Sequence, residues 1–182
     1  MTSIVLSPHD DDQCLFCALT CMREQPLVVI CFDSYVQPAR GEVGCHADER
    51  AWETLVACQH LHCSVLRLGL HDDWAPATAQ PALETALRRF ENIGCVYAPA
   101  KQGGNWHHDL VHDCARSLFD DRVVTYTTYT KTGLWTKGAR EIVGTPEEHE
   151  RKRLALDCYP SQWRINRPHF EAVIGRSEWL TP

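Results

Sequence analysis

The amino-acid sequence predicts an α/β fold: one domain with a Rossmann-like, mostly parallel sheet and helices on both faces. Three observations carry this. From Ile4 to Tyr129, short apolar runs alternate with segments of helical period, the pattern of successive βαβ units. The run Leu27-Val28-Val29-Ile30-Cys31-Phe32 is apolar at every position, as in a strand covered on both faces of a parallel sheet. A length of 182 residues suits one domain with a sizeable core.

Ile4 to Leu6 forms the first expected strand. Asp12 to about Arg23 is apolar on nearly every side, which predicts a single buried helix ended by Gln25-Pro26. Leu27 to Phe32 is the second strand, and Asp33 to Cys45, with Pro38, Gly41 and Gly44, a loop. Ala51, Leu55, Cys58 and His62 share helical spacing in a helix from Ala47 to His62. Ser64 to Leu70 follows as a strand and His71 to Pro76 as a loop. Pro81, at its favoured first helical position, opens a helix to about Asn92. Ile93 to Ala98 is the fourth strand and Pro99 to Asn105 a loop. A helix from Trp106 or His107 then turns Leu110, Val111, Cys114, Ala115 and Leu118 inward. Arg122 to Tyr129 is the fifth strand, and Thr130 to Gly144 holds a small hairpin. Thr145-Pro146-Glu147-Glu148 resembles a capping box opening a last helix to about Cys158. Pro160 to Pro182 shows no clear period.

Composition narrows the function classes. A formal charge of −6 without a basic tract argues against a general nucleic-acid surface but leaves room for a nucleotide-sized ligand. No apolar run approaches the ~20 residues of a membrane span. Met1-Thr2-Ser3 leads straight into a strand without a secretory leader, so a cytoplasmic location is expected. The ten cysteines fall mostly in apolar periodic segments, where Cys acts as a small hydrophobe. A secreted disulfide scaffold would be shorter and richer in loops. Cys14-Leu15-Phe16-Cys17 has CxxC spacing with no second CxxC to complete a zinc site. It reads as two core positions, with a redox pair as the alternative.

The chemistry concentrates in Ser7-Pro8-His9-Asp10-Asp11-Asp12. Three consecutive carboxylates between two core-like segments call for a positive partner, and no Lys or Arg precedes Arg23, so a cation is a candidate. His9 and Asp12, three apart on a turn leaving a strand, can face one metal and leave Asp11 free as a base. The plainer alternative is an Asp-rich helix N-terminus. In parallel sheets ligands sit beyond the carboxyl ends of strands, and the loops at Ser7–Asp12 and Gly103–His108 open on that same edge. One of His107, His108 or His112 completes a two-His, one-carboxylate set of the kind that binds zinc with an open position for water. Zinc lowers the pKa of that water to about 7, and Asp11 is placed to take its proton, which suits hydrolysis of an amide or ester.

Pro8-His9-Asp10-Asp11-Asp12-Gln13 also resembles the AHPDDE signature of the PIG-L/LmbE family of zinc-dependent N-deacetylases. Arg50-Ala51-Trp52-Glu53 is similar to the family's RxxE helix, and Leu68-Gly69-Leu70-His71-Asp72 to the strand and loop that follow it. Gly104-Asn105-Trp106-His107-His108-Asp109-Leu110-Val111 resembles the GxHPDHxxV segment. Lys152 through Tyr159-Pro160-Ser161-Gln162 resembles the late segment of the family. The resemblance implies a Rossmann-like fold, one zinc, His9, Asp12 and His108 as ligands, and Asp11 as the base. It also implies a metal-bound water attacking an N-acetyl carbonyl, usually on a glucosamine unit. Relatives often form trimers or higher assemblies, so a homo-oligomer is one expectation.

Three departures stand out. Gln13 replaces the family Glu, and Asp10 adds a charge beside the base. Asn105 stands at the first His of HPDH, with His107 at its Asp. The missing histidine would serve the oxyanion or the leaving amine, so His107 or Asn105 is expected to substitute. Arg50, Trp106 and Asp10 are candidate substrate contacts, with a helix-surface charge the alternative for Arg50. Trp74 and Trp106 can stack on a ligand or pack. Asp72 and Asp73 suit a turn, Tyr126 and Tyr129 suit packing, Ser161 and Gln162 suit support through the backbone, and Lys101 suits solvent.

The expectation is a zinc-dependent N-deacetylase or amidohydrolase acting on a non-peptide C–N bond of a small, N-acylated amino-sugar-type conjugate. One alternative is an amidohydrolase of an acylated nucleotide or modified-base amine. Another is a catalytically weak, metal-containing binding protein, which Asn105 favours and the unliganded Asp11 argues against.

Overall fold

Ile4, Val5 and Leu6 have no solvent exposure, because β1 (Thr2–Ser7) lies at the middle of the sheet with layers of helices on both sides. The structure is a computed structural model and describes residues 2–34, 44–133 and 138–182. β1 pairs in parallel with β2 (Leu27–Asp33) on one side and β4 (Ile93–Pro99) on the other. β3 (Ser64–His71) adds in parallel outside β2, and β5 (Val123–Tyr126) outside β4. β6 (Arg140–Ile142) and β7 (Glu178–Thr181) extend the far edge as antiparallel strands, giving the order β3-β2-β1-β4-β5-β7-β6. The parallel, doubly covered sheet expected from the sequence is present.

Alternation along the strands splits the core in two. Val5, Val28 and Ile30 face a cluster with α1 (Asp12–Phe16), α2 (Ala18–Glu24), α3 (Ala47–His60), α6 (Pro146–Asp157) and α7 (Pro160–Val173). Ile4, Leu6, Val29 and Cys31 face the other, built on α4 (Pro76–Leu87) and α5 (Trp106–Phe119). All ten cysteines carry free thiols, and Cys14 and Cys17 are fully buried core positions. Among the described residues no helix is long and apolar enough to cross a membrane.

Four local expectations are corrected. The single helix from Asp12 is two helices broken at Cys17 (φ −138°). Lys152 Nζ donates to Leu15 O (3.0 Å), and Glu178 accepts from Leu19 N (3.0 and 3.1 Å), so distant side chains satisfy the groups exposed at the break. α4 starts at Pro76 rather than Pro81. Pro81 is tolerated inside it because it lies on the exposed face, where water reaches the unpaired carbonyl one turn back. The hairpin expected over Thr130 to Gly144 does not form among the described residues, since β6 pairs with the tail strand β7; residues 134–137 lie outside them. The tail itself holds α7 and β7. Asn166 leaves helical geometry (φ −135°) two residues before Pro168, and this kink breaks the helical period of α7. Most of the loop expected over Asp33 to Cys45 lies outside the described residues.

Strand order reverses at β1, whose two neighbours continue the chain in opposite directions across the sheet. The loops leaving β1 and β4 flank the crevice made there.

Candidate metal centre

The β1–α1 loop gives its three aspartates three different partners. Asp10 is fully buried. It pairs with Arg67 and accepts from Thr54 Oγ1 (2.9 Å), while its backbone N–H donates to Ser34 Oγ (3.0 Å). It is therefore an anchor between β1, β2 and α3 and does not face the cavity, which corrects its expected role as a substrate contact. Asp11 meets Arg50 Nη2 at 3.1 Å. Asp12 faces His9 and His108, each with a ring nitrogen 3.2 Å from Oδ2. The positive charge sought near this stretch thus comes partly from arginines 39 and 57 positions downstream of the aspartates they meet.

Several motif residues hold this loop. Gln13 Nε2 donates to Asp10 O (3.0 Å) and to Tyr159 Oη (2.8 Å). A glutamate at this position would set a carboxylate against that carbonyl, so the amide suits the site. Arg50 is buried rather than a helix-surface charge. Its Nη1 also reaches Glu53 (3.2 Å), whose carboxylate accepts from Ser161 N (2.8 Å) and Ser161 Oγ (2.6 Å). Residues from α3 and α7 therefore fix the guanidinium that holds Asp11.

The β4–α5 loop builds the opposite wall. Asp109 accepts from the N–H groups of Gln102 and Gly103, each at 3.1 Å, and closes the loop. Gly104 passes against Tyr129, where an added Cβ would crowd the Tyr129 backbone and stand 2.9 Å from its ring. Asn105 caps α5: its Oδ1 accepts from His107 N (2.8 Å) and its Nδ2 donates to Tyr129 Oη (3.3 Å). His107 and His108 then leave the first turn toward His9, with ring centroids 5.0 and 5.4 Å from it. His112 turns away and lies against Pro99 O (2.9 Å).

His9, Asp12 and His108 offer ligand atoms that all lie within 4.8 Å of one another. The two 3.2 Å separations to Asp12 match the roughly 3.3 Å edge of a tetrahedron built on zinc–ligand bonds of about 2.0 Å. His108 is buried, and neither of its ring nitrogens makes a well-aligned hydrogen bond among the described residues, Nε2 having only the charge contact with Asp12 at 3.2 Å. A buried nitrogen left without a hydrogen bond costs about 1–3 kcal/mol, a cost that ligation of a cation removes. The donor set therefore fits a zinc-type ion.

Electrostatics agree with a site for positive charge. Burial lowers the His9 pKa, but the hydrogen bond and charge of Asp12 outweigh it and lift His9 to about 9. Burial raises the Asp12 carboxyl, yet His108 and His9 hold it well below the usual carboxylate range. Burial pushes the Asp11 carboxyl up against the pull of Arg50. His107, desolvated and beside His9, falls to about 3.

A cavity of about 290 Å³ opens on this set, lined by His9, Asp11, Asp12, Arg50, Asn105 and Tyr129 among others. His107 and Trp106 do not line it. Trp106 packs on His107 (3.9 Å between centroids) and Phe32, which corrects its expected place on a ligand. Trp74 packs on His71, Tyr126 donates to Leu6 O (2.8 Å), and Lys101 pairs with Asp113 at the surface. Tyr129, read as packing, instead borders the cavity. So do Asn166 and His169 from the kinked α7, where His169 Nδ1 lies 2.8 Å from Asn166 Oδ1 and its ring stacks on Tyr129. Ser34 was legible in principle, because it follows β2 at the switch-point edge. Asn166 and His169 had no signal in a tail without period. A second cavity, about 330 Å³, lies beyond Leu15 and Phe16 around the paired Lys152 and Glu178 and holds no histidine.

No family model matches the chain, and no curated protein matches it by sequence. Solved structures match it along nearly its full length. N,N'-diacetylchitobiose deacetylase from Pyrococcus horikoshii shares 17% identity at a TM-score of 0.72, over 98% of this chain and 82% of that one. A deacetylase of the teicoplanin biosynthetic pathway shares 16% at 0.71, over 99% and 97%, and a zinc-inhibited form of the teicoplanin deacetylase Orf2 aligns at 0.67. GalB, the 4-carboxy-2-hydroxymuconate hydratase from Pseudomonas putida KT2440, shares 15% at 0.67, over 99% and 95%. The chain has the fold of the LmbE/PIG-L-type deacetylases, a fold that a hydratase also uses.

Proposed function

We propose that this chain, built on the fold of the LmbE/PIG-L-type deacetylases, is a zinc-dependent hydrolase that removes an acyl group, acetyl in the first instance, from the nitrogen of a small amino-sugar-type conjugate. The observation that carries the reading is the convergence of His9, Asp12 and the buried His108, whose ligand atoms lie within 4.8 Å of one another, beside a cavity lined by His9, Asp11 and Asp12. Zinc held there supplies a Lewis acid for water and for an amide carbonyl. Asp11 takes the proton of the attacking water and returns it to the leaving amine. Its desolvated carboxyl, raised in pKa, is a better base than a free aspartate, and Arg50 fixes its direction.

Asn105 cannot replace a histidine as an acid, but it arms a neighbour. Its Oδ1 is spent on His107 N, so its NH₂ must face Tyr129 Oη, and the phenolic hydrogen is free to point elsewhere. Burial raises the Tyr129 pKa to about 12, which keeps that proton in place. Tyr129 is the hydrogen-bond donor for the carbonyl oxygen as charge develops on it. Arg50 is the charged contact for a substrate oxygen.

The test is acetate and amine release from a panel of N-acetyl sugars and acylated nucleotides, by wild type and D11N, with zinc content followed in both. Release by wild type and its loss in zinc-loaded D11N is the expected result; equal release by both removes Asp11 as the base. The shared fold of GalB favours a second reading, in which the same groups add water to a carbon–carbon double bond. Addition of water to an unsaturated acid, with no release from any amide, selects it.

A further inference from the structure

The hydrogen bonds around His9 settle which of its ring nitrogens can carry a proton. His107 Nε2 lies 3.1 Å from the Asp72 carbonyl, which only accepts, so His107 Nε2 must bear hydrogen. The neutral His107 ring then has an unprotonated Nδ1, which can only accept. His9 Nε2 lies 3.0 Å from that atom and is the donor. With Nε2–H committed, the neutral His9 ring has its lone pair on Nδ1, the atom that faces Asp12 Oδ2 at 3.2 Å. A carboxylate and an imidazole lone pair at that distance repel, unless His9 is doubly protonated or a cation lies between them.

We infer that His107 is a positioning residue: through Asp72 O, His107 and His9 Nε2, the chain fixes His9 in the tautomer that presents Nδ1 to the metal. The inference rests on the metal-centre reading and adds a role to a residue outside the cavity. Metal-ligating histidines almost always donate their other N–H to an acceptor that holds the ring and raises its basicity. That acceptor here is a neutral imidazole rather than a carboxylate, itself oriented by a backbone carbonyl. The same geometry explains why His107 is not the substitute proton donor expected from its place next to Asn105. Both its nitrogens are engaged, and its ring packs against Phe32 (4.2 Å) and Trp106 (3.9 Å). His9, Asp72 and His107 also bring ligand atoms within 4.8 Å of one another. A second ion there would have to displace the His9 Nε2 proton, and the hydrogen-bonded chain accounts for the cluster without it.

The test is zinc affinity of the intact protein, by competition with a chromophoric chelator, for wild type, His107→Asn and His107→Gln. Asparagine puts Oδ1 where Nδ1 stands and keeps the acceptor for His9; glutamine reaches Asp72 O but leaves His9 without one. The expected result is a roughly 10- to 100-fold loss in the glutamine variant and affinity within a few-fold of wild type in the asparagine variant. Equal affinity for wild type and His107→Gln, or a loss as large in His107→Asn, overturns the role. Where a variant fails to fold, ¹⁵N imidazole spectra of zinc-loaded wild type decide. A proton on His9 Nε2 with zinc on Nδ1 supports the role, and zinc on His9 Nε2 overturns it. Wild type that takes up no zinc overturns the metal centre itself.

Discussion

Each of the three consecutive aspartates has a different partner, and each partner sets a different job. Asp11, held by Arg50 but desolvated, is the one the proposed hydrolysis uses as its base. D11N should lower turnover by about 10²–10⁴-fold while leaving zinc bound, as measured on whichever panel substrate is cleaved. Y129F removes only the hydroxyl that Asn105 orients, and should lower kcat by about 10²–10³-fold with KM and zinc content close to wild type. An unchanged kcat would leave Tyr129 as packing. At this scale the sequence names His9, Asp11, Asp12, Asn105 and His108, because short loops at the ends of β1 and β4 carry them. It cannot name the arginine partners. Arg67 reaches Asp10 and Arg50 reaches Asp11 across strand and helix contacts that no local pattern records. That is why the sequence offers a cation as one candidate partner for these charges, when Asp10 and Asp11 meet arginines and Asp12 faces histidines.

The break between α1 and α2 depends on one buried ion pair. Lys152 of α6 and Glu178 of β7, 2.8 Å apart, occupy the carbonyl end of α1 and the N–H end of α2. K152M would leave Glu178 buried and unpaired, and should cost about 3–5 kcal/mol in denaturant unfolding. The start of α6 has its own lock, a capping box between Thr145 and Glu148 joined by Arg23. The hydrogen bond from Arg23 pulls the Glu148 carboxyl down to about 2, so its stabilisation is present above the ordinary carboxylate value and is lost as pH falls toward 2. The thermal-midpoint gap between wild type and E148Q should therefore be widest near neutral pH and narrow below about 4.5; a constant gap would contradict this. Hydrophobic period made β1 to β5, α3 and α5 legible. It failed where tertiary contacts overrode it, at the break at Cys17, at the α7 kink and at β6, whose partner lies in the tail.

The molecule as a whole positions the site by reversing strand order at β1, so that loops a hundred residues apart close on one crevice. That much of the architecture follows from alternating strands and helices and the edge rule for parallel sheets. The antiparallel extension by β7 and β6 does not, since their short pairings have no sequence period to announce them. The tail nevertheless supplies Gln162, Asn166 and His169 to the cavity, so this wall of the cavity is the least legible part. The most direct test of the metal centre is zinc content by elemental analysis of wild type and H108A, each exposed to zinc and then dialysed. About one zinc per chain in wild type and its loss in a folded H108A is the expected result. Wild type that retains no zinc, or H108A that retains as much as wild type, would contradict a metal held by His9, Asp12 and His108.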